Sequence, residues 1–243
     1  MERQILTVVS NRRLCGNIFE MKLDGCAPCT AGQFVNLELE GLFLRRPISV
    51  CDWDNGTLTL DYRVVGKGTE LMSRMIPGEK IDTLVTLGNG FDSSVECSSA
   101  VLVGGGIGLA PLFLLAKELL ARGRKVTVVA GFKTGDEVFN EDLFKSVGAD
   151  FVVATEDGSR GYKGFVTDAI RESGVACDYI FACGPMPMMK ALCAATDAPA
   201  QLSLEERMGC GFGICMGCTC KTTLGAKRVC KDGPVFKREE ITW

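Results

Sequence analysis

The chain has 243 residues, with 27 Lys and Arg against 30 Asp and Glu for a net charge of -3. At roughly 100 to 200 residues per domain this length supports two small domains or one large one, and the near-neutral balance gives no general attraction to nucleic acid or to an anionic membrane. Histidine is absent, which excludes a Ser-His-Asp or Cys-His pair, a zinc site using His and an axial haem histidine from this chain. The 13 cysteines are an odd count in a chain too long to need disulfide staples, and the start Met1-Glu2-Arg3-Gln4 carries no apolar signal core, so the expected compartment is the reducing cytoplasm. The longest weakly polar run, residues 100–116, contains four glycines and a proline and falls short of a membrane span.

In chain order, short β-rich runs at 4–9, 33–39, 47–50, 57–65 and 80–87 are separated by turn residues, the pattern of an antiparallel barrel or sandwich. Asp24-Gly25, Asn55-Gly56 and Pro77-Gly78 punctuate these runs, and Asn55-Gly56 between alternating segments signals a hairpin. Residues 88–99, rich in Gly, Asn and Ser, read as a boundary. The period then changes: strand at 100–103, helix at 110–120, strand at 125–131, then 150–155, 166–172, 179–183 and 187–195 continuing the alternation. The expected organisation is an antiparallel β-barrel domain over 1–97, a doubly wound, parallel-sheet α/β domain over 98–200, and a small segment over 201–243. Beyond Pro199 periodicity disappears, so that last segment needs something other than a core to fold it.

The tail carries five cysteines. Cys210, Cys215 and Cys218 have the spacing C-x4-C-x2-C, with eleven residues between Cys218 and Cys230, and the first two spacings are those of plant-type 2Fe-2S clusters. Gly209, Gly211, Gly213 and Gly217 permit a tight loop whose N–H groups turn toward sulfur. The competing reading is a zinc ribbon, but such sites usually come as two C-x2-C pairs and the tail has one. Cys220 is left as a spare thiol, and the other eight cysteines read as single small core residues.

Gly104-Gly105-Gly106-Ile107-Gly108-Leu109-Ala110-Pro111 runs from strand through glycine loop to helix, where a pyrophosphate can approach the backbone and the helix start. Cys183-Gly184-Pro185 closes a later strand, so both loops would lie at the carboxyl ends of neighbouring strands, with Cys183 facing the cleft near the nicotinamide. Asp136 and Glu137 after the second strand suit a ribose, whereas Lys133 suits a 2'-phosphate; the balance favours NAD. In the first domain, Arg46 beside Pro47 suits a pyrophosphate, and Gly68-Thr69 leading into a short helix makes a second anion nest.

On these residues the chain resembles the ferredoxin-NADP reductase superfamily, with its R-x-[YFI]-[ST] and Gly-[ST] flavin motifs and its GGGxGxxP and CGP nucleotide motifs. Arg46-Pro-Ile-Ser49, Gly66-Lys-Gly-Thr69, Thr155-Glu-Asp-Gly-Ser159, Lys163-Gly-Phe-Val-Thr-Asp168, Ser203-Leu-Glu-Glu-Arg-Met208 and Val229-Cys-Lys-Asp-Gly-Pro-Val-Phe236 narrow the likeness to the family of type B dihydroorotate dehydrogenase electron-transfer subunits. The resemblance implies FAD on Arg46, Pro47, Ile48, Ser49, Asp61, Tyr62, Arg63, Gly68 and Thr69. It implies NAD on the two nucleotide loops and a 2Fe-2S cluster on Cys210, Cys215, Cys218 and Cys230. Ile48 stands where many superfamily members stack an aromatic on the flavin. The implied partner is an FMN-containing catalytic subunit in a heterotetramer of two of each chain, with no nucleic acid or membrane, serving pyrimidine (UMP) biosynthesis. Flavin subunits of sulfhydrogenases and of NADH-dependent ferredoxin-NADP reductases share the layout and stand as the alternative within the enzyme class. A regulatory module that keeps a cluster for sensing is the alternative outside it.

Overall fold

In the computed structural model, which describes all of residues 1–243, the first half of the chain is one antiparallel sheet. Its strands are β1 (Glu2–Cys15), β2 (Ile18–Asp24), β3 (Phe34–Leu37), β4 (Arg46–Ser49), β5 (Asp52–Asp54), β6 (Thr57–Arg63) and β7 (Lys80–Leu87), in the order β4-β3-β7-β1-β2-β6-β5. Side chains along β7 alternate between core and surface, as a sheet with one buried face requires. The sheet curls around Leu6, Met21, Leu23, Leu58 and Leu60, all fully buried, but its edge strands β4 and β5 are not paired with each other, so the barrel is open. Asn55-Gly56 turns β5 into β6 with both residues at positive φ, as its hairpin signal predicts. The short helix α1 (Lys67–Ser73) caps one end, its Met72 carbonyl accepting from Asn11 Nδ2 at 2.8 Å.

The second sheet holds β8 (Ser99–Gly105), β9 (Lys125–Phe132), β10 (Asp150–Thr155), β11 (Tyr162–Lys163), β12 (Tyr179–Cys183) and β13 (Ala200–Ser203), all parallel. The helices α2 (Leu112–Ala121), α3 (Glu141–Ser146), α4 (Val166–Ser173) and α5 (Met186–Ala195) connect them. The strand order β11-β10-β9-β8-β12-β13 reverses direction between β8 and β12. At such a switch point the two flanking loops diverge and leave a crevice for a ligand.

The tail forms the hairpin β14 (Thr219–Thr222) and β15 (Gly225–Arg228), the single turn α6 (Val229–Asp232) and β16 (Val235–Lys237). Here the structure corrects the sequence reading. The segment after Pro199 is anchored in the core at both ends: β13 lies beside β12, and β16 adds antiparallel to it with Leu202 opposite Phe236. These strands have four and three residues and are largely buried, so they show no alternation to read. The core has two parts, one shared by the barrel and the second sheet and one on that sheet's other face. Leu112, Leu115 and Leu119 of α2 join the barrel interior, while Val101, Ile180, Leu202, Cys218 and Phe236 pack together on the other face of the sheet. No helix is long and apolar enough to cross a membrane.

Candidate functional site

Strand β4 carries Arg46, Pro47, Ile48 and Ser49, each half-buried on the barrel's open edge. Arg46 donates to the carbonyl of Leu44 and, at 3.3 Å, to that of Arg45, which folds its guanidinium back onto Gly68. A Cβ at Gly68 would sit 2.1 Å from Arg46 Nε, so the two anion-binding features converge at one place, and glycine is what lets them. Thr69 Oγ1 accepts from the Val65 and Gly66 amides at 2.9 and 3.2 Å, so this hydroxyl shapes the loop. A guanidinium against a glycine turn is a donor set suited to a pyrophosphate.

On β6 the three residues carried over from the family differ in placement. Asp61 and Tyr62 are buried, at 2% and 1% exposure. Tyr62 donates to Asn11 Oδ1 at 2.9 Å, and Asp61 Oδ2 accepts from Asn140 at 2.6 Å and from the Cys51 thiol at 3.3 Å. Burial lifts the Asp61 carboxyl to about 6, against the pull of those two donors, and its Oδ1 has no partner. Only Arg63 reaches outward.

A cleft of about 550 Å³ opens at the switch point, walled by Gly105 and Gly106 on one side and Gly184 and Pro185 on the other. Arg63 enters it from the barrel: its Nη2 lies 3.0 Å from where a Cβ on Gly106 would be, and its Nε is buried without a partner. Gly106 has φ +54, a conformation glycine adopts without cost. Gly104, Gly108 and Pro111 stand behind the wall. A Cβ on Gly104 would strike Leu109, and one on Gly108 would lie 2.4 Å from the Cys183 carbonyl oxygen, so these glycines let the loop pack on β12. Pro111 is buried at the start of α2.

Cys183 does not face the cleft, contrary to the sequence expectation. It is 2% exposed within the core, and burial holds its thiol well above the usual range, with the Glu205 charge adding to the effect and Ser203 opposing it. The reason is that β12 is an interior strand of the sheet, between β8 and β13, and is buried up to its last residue. Glu205, which sequence reasoning missed, projects into the cleft just past the end of β13. The surrounding walls raise its carboxyl, and Arg63 draws it back down. Of the charged residues that follow β9, Glu137 and Lys133 line the cleft. Asp136 does not, and Glu156 at the end of β10 does. No spacing rule marks Glu156 or Glu205, because each follows a different strand.

The tail cysteines meet in two pairs. The Cys210 amide donates to Cys215 Sγ at 3.5 Å, and the Cys230 amide donates to Cys218 Sγ at 3.4 Å. The Ile214 and Gly217 amides point at Cys210 and Cys215 sulfurs at 3.3 and 3.4 Å. Burial raises the Cys210 thiol, but the amides of Cys215, Phe212 and Ile214 outweigh it and bring it down to about 6. Two thiol pairs laced with amide donors are the donor set of a two-iron cluster, two sulfurs to each iron. A Cβ on Gly209 would lie 3.1 Å from Cys215 Sγ, so the glycines keep space at the sulfurs. Cys220 lies on β14, half-buried against the core, and burial raises its thiol. The loop is held to the barrel by Asn36 Nδ2, which donates to the Cys210 carbonyl at 3.1 Å.

A second C-x2-C pair escaped the reading of the remaining cysteines as single residues. Cys26 and Cys29 are neighbours, their sulfurs 3.9 Å apart.

Comparison with known proteins gives these features a family. Residues 205–242 match the iron-sulfur cluster binding domain of dihydroorotate dehydrogenase B, and residues 102–194 match an oxidoreductase NAD-binding domain. The chain is 46% identical to the dihydroorotate dehydrogenase B (NAD(+)) electron transfer subunit of Bacillus pumilus, over 99% of this chain and 98% of that one. It is 42% identical to the subunit of the same name from Fusobacterium nucleatum, over 99% of each. Among solved structures, an NADH-dependent reduced ferredoxin-NADP oxidoreductase superposes with a TM-score of 0.88 at 32% identity, covering 98% of this chain and 90% of that one.

Proposed function

Because this chain belongs to the family of dihydroorotate dehydrogenase B (NAD(+)) electron transfer subunits, we propose that it accepts electrons from the FMN of a dihydroorotate-oxidising partner. They leave by way of its 2Fe-2S cluster and FAD to NAD. The setting is the cytoplasm, in a heterotetramer of two of each subunit, as a step of pyrimidine biosynthesis. FAD, when bound, exchanges a hydride with the nicotinamide and single electrons with the cluster, chemistry that no side chain here supplies.

The chain's own residues bind, orient and exclude water. Arg46 and the Gly68 turn take the flavin's pyrophosphate, and Pro47, Ile48 and Ser49 present β4 to the ring. Asp61 and Tyr62 hold β6 rigid, offering the flavin backbone alone, while Arg63 reaches toward the nucleotide. Gly105, Gly106, Gly184 and Pro185 receive NAD, with Gly104, Gly108, Pro111 and Cys183 fixing those loops from behind. Cys210, Cys215, Cys218 and Cys230 hold the cluster. The division of labour follows the three segments 1–97, 98–200 and 201–243.

One observation carries the proposed order of centres. Asn36, which holds the Cys210 carbonyl, is the register partner of Pro47. The cluster loop is therefore tied by one side-chain hydrogen bond to β3, and β3 lies a single strand spacing, roughly 5 Å, from the flavin strand, so only one strand stands between the two sites. The test is reconstitution with the FMN-containing catalytic subunit from the same source. A stable complex that reduces NAD with dihydroorotate, when neither subunit does so alone, is the expected result. A complex without NAD reduction would break the relay, and no complex would move the assignment to a ferredoxin- or hydrogenase-linked flavin subunit.

A further inference from the structure

Cys26 and Cys29 lie in the loop between β2 and β3, outside any strand, in the run Cys26-Ala-Pro-Cys29. Both are buried, at 4% and 7% exposure, yet Pro28 and Thr30 between and beside them are exposed. The pair is thus one residue layer below the surface. Their sulfurs are 3.9 Å apart, so side-chain rotation of about 2 Å would reach the bonded S–S distance.

The surroundings make the two thiols unequal. Either sulfur can donate to the other, but the Cys26 thiol is closer to the Ala27 carbonyl, 3.2 Å against 3.6 Å for Cys29, so the shared proton rests on Cys26, raising its thiol and lowering that of Cys29 against the effect of burial. Thr86 holds φ +54 at a bulge, where three steps of β7 from Leu84 to Leu87 span two steps of β3. A β-branched residue in the left-handed region is an outlier, and bulges re-aim groups out of a ladder. Here the re-aimed group is the Thr86 backbone, which draws the Cys29 thiol down.

We propose that Cys26 and Cys29 form a dithiol that a small peroxide oxidises to a disulfide, a modification site separate from the cluster cysteines. The Cys29 thiolate attacks hydrogen peroxide; an S–O bond forms, the O–O bond breaks and hydroxide leaves. The Cys26 sulfur then attacks Cys29, forming the S–S bond, breaking S–O and releasing water with the Cys26 proton. Two thiols lose two electrons and two protons, and one peroxide becomes two waters. The thin cover admits a molecule of that size, whereas a bulky disulfide would have to displace Pro28.

The test uses the holoprotein, titrated anaerobically with hydrogen peroxide, alkylated and digested with trypsin. The peptide spanning residues 23–45 contains these two cysteines and no others. It is expected to become lighter by two hydrogens and to lose both alkylation sites at doses that leave the cluster's visible absorbance intact. A peptide that stays doubly alkylated until the cluster bleaches would overturn the proposal. The order of attack is read from variants. C26S should accumulate a dimedone-trappable sulfenic acid on Cys29, and C29S should label Cys26 at least about tenfold less, the change in thiolate fraction made by one pKa unit. Equal labelling would overturn the assignment of Cys29 as the attacking sulfur, while the wild-type measurement stands whether or not either variant folds.

Discussion

The side-chain amide of Asn36 donates to the carbonyl of Cys210 at 3.1 Å across 174 positions of sequence, and it is nearly the whole polar tie between the cluster loop and β3. Asn36 is 1% exposed, and a Cβ on Gly211 would lie 2.4 Å from its Nδ2, so the loop closes on it without room to spare. Replacing Asn36 with Ala leaves the Cys210 carbonyl unpaired at a cost of about 1 to 3 kcal/mol. The expected result is faster loss of cluster absorbance under an iron chelator with flavin content unchanged. Chelation rates equal to wild type would show that the tie does not hold the loop.

Cys215 and Cys220 should respond differently to the same substitution. Cys215→Ser removes one sulfur of the Cys210–Cys215 pair, whereas Cys220 sits on the hairpin strand β14 and belongs to neither pair. Iron and acid-labile sulfide should vanish in the first variant and stay stoichiometric in the second, with FAD retained in both. Stoichiometric zinc without labile sulfide in the anaerobically purified wild type would refute the cluster itself.

Arg46→Ala should weaken FAD binding by about 1.5 to 3 kcal/mol, the range for a hydrogen bond to a charged group, or roughly 10- to 150-fold in Kd. Gly68→Ala should do the same with Arg46 itself unchanged, because its Cβ would displace the guanidinium at Nε. Flavin fluorescence on dilution measures both. Release of FMN in place of FAD on heating would remove the pyrophosphate that motivates this pair.

What the sequence made legible tracks the strength of local signals. The cysteine spacing, the Asn55-Gly56 hairpin and the long runs of β8, β9 and β10 are local patterns that tertiary contacts do not override. Strand β2 was missed because Glu20 faces inward, 5% exposed and paired with Arg12 at 2.8 Å, which spoils the alternation of its apolar positions. Helix α3 has six residues and β16 three, too short for any period to show. In the site, Glu205 and Glu156 escape because the cleft collects one residue from the end of each strand, a relation that exists only once the sheet has formed.

Asp61 should make the protein lose stability as pH rises through its transition. Its folded pKa is raised to about 6 from an ordinary value of 3.8, so between those values the folded state binds more protons than the unfolded one. The stabilising protonated form is present below about pH 4 and gone above about pH 6, a difference of about 3 kcal/mol. Asp61→Asn keeps acceptors for Asn140 and Cys51 and cannot ionise. The variant's thermal midpoint should therefore gain on wild type from pH 4 to pH 7, and parallel profiles would mean that the carboxyl is relieved in another way.

NADH should reduce the flavin in preference to NADPH because the cleft residues that follow β9 and β10 present two carboxylates, Glu137 and Glu156, against one ammonium, Lys133. A 2'-phosphate entering there meets net repulsion. Each carboxylate at contact distance is worth about 1 kcal/mol in a water-like medium, so the two together disfavour NADPH by about 2 kcal/mol, roughly thirtyfold. Glu137→Gln with Glu156→Gln removes both charges at constant shape and leaves Lys133 in place. The ratio of reduction rates at low nucleotide concentration should shift toward NADPH by about that factor, and the shift should shrink as salt screens it. Adding Lys133→Ala to the double variant should reverse part of the gain, since the ammonium would then be the 2'-phosphate's remaining partner. Stopped-flow reduction with both nucleotides measures all three proteins, and a ratio unmoved by the double substitution would place the ribose elsewhere than between these carboxylates.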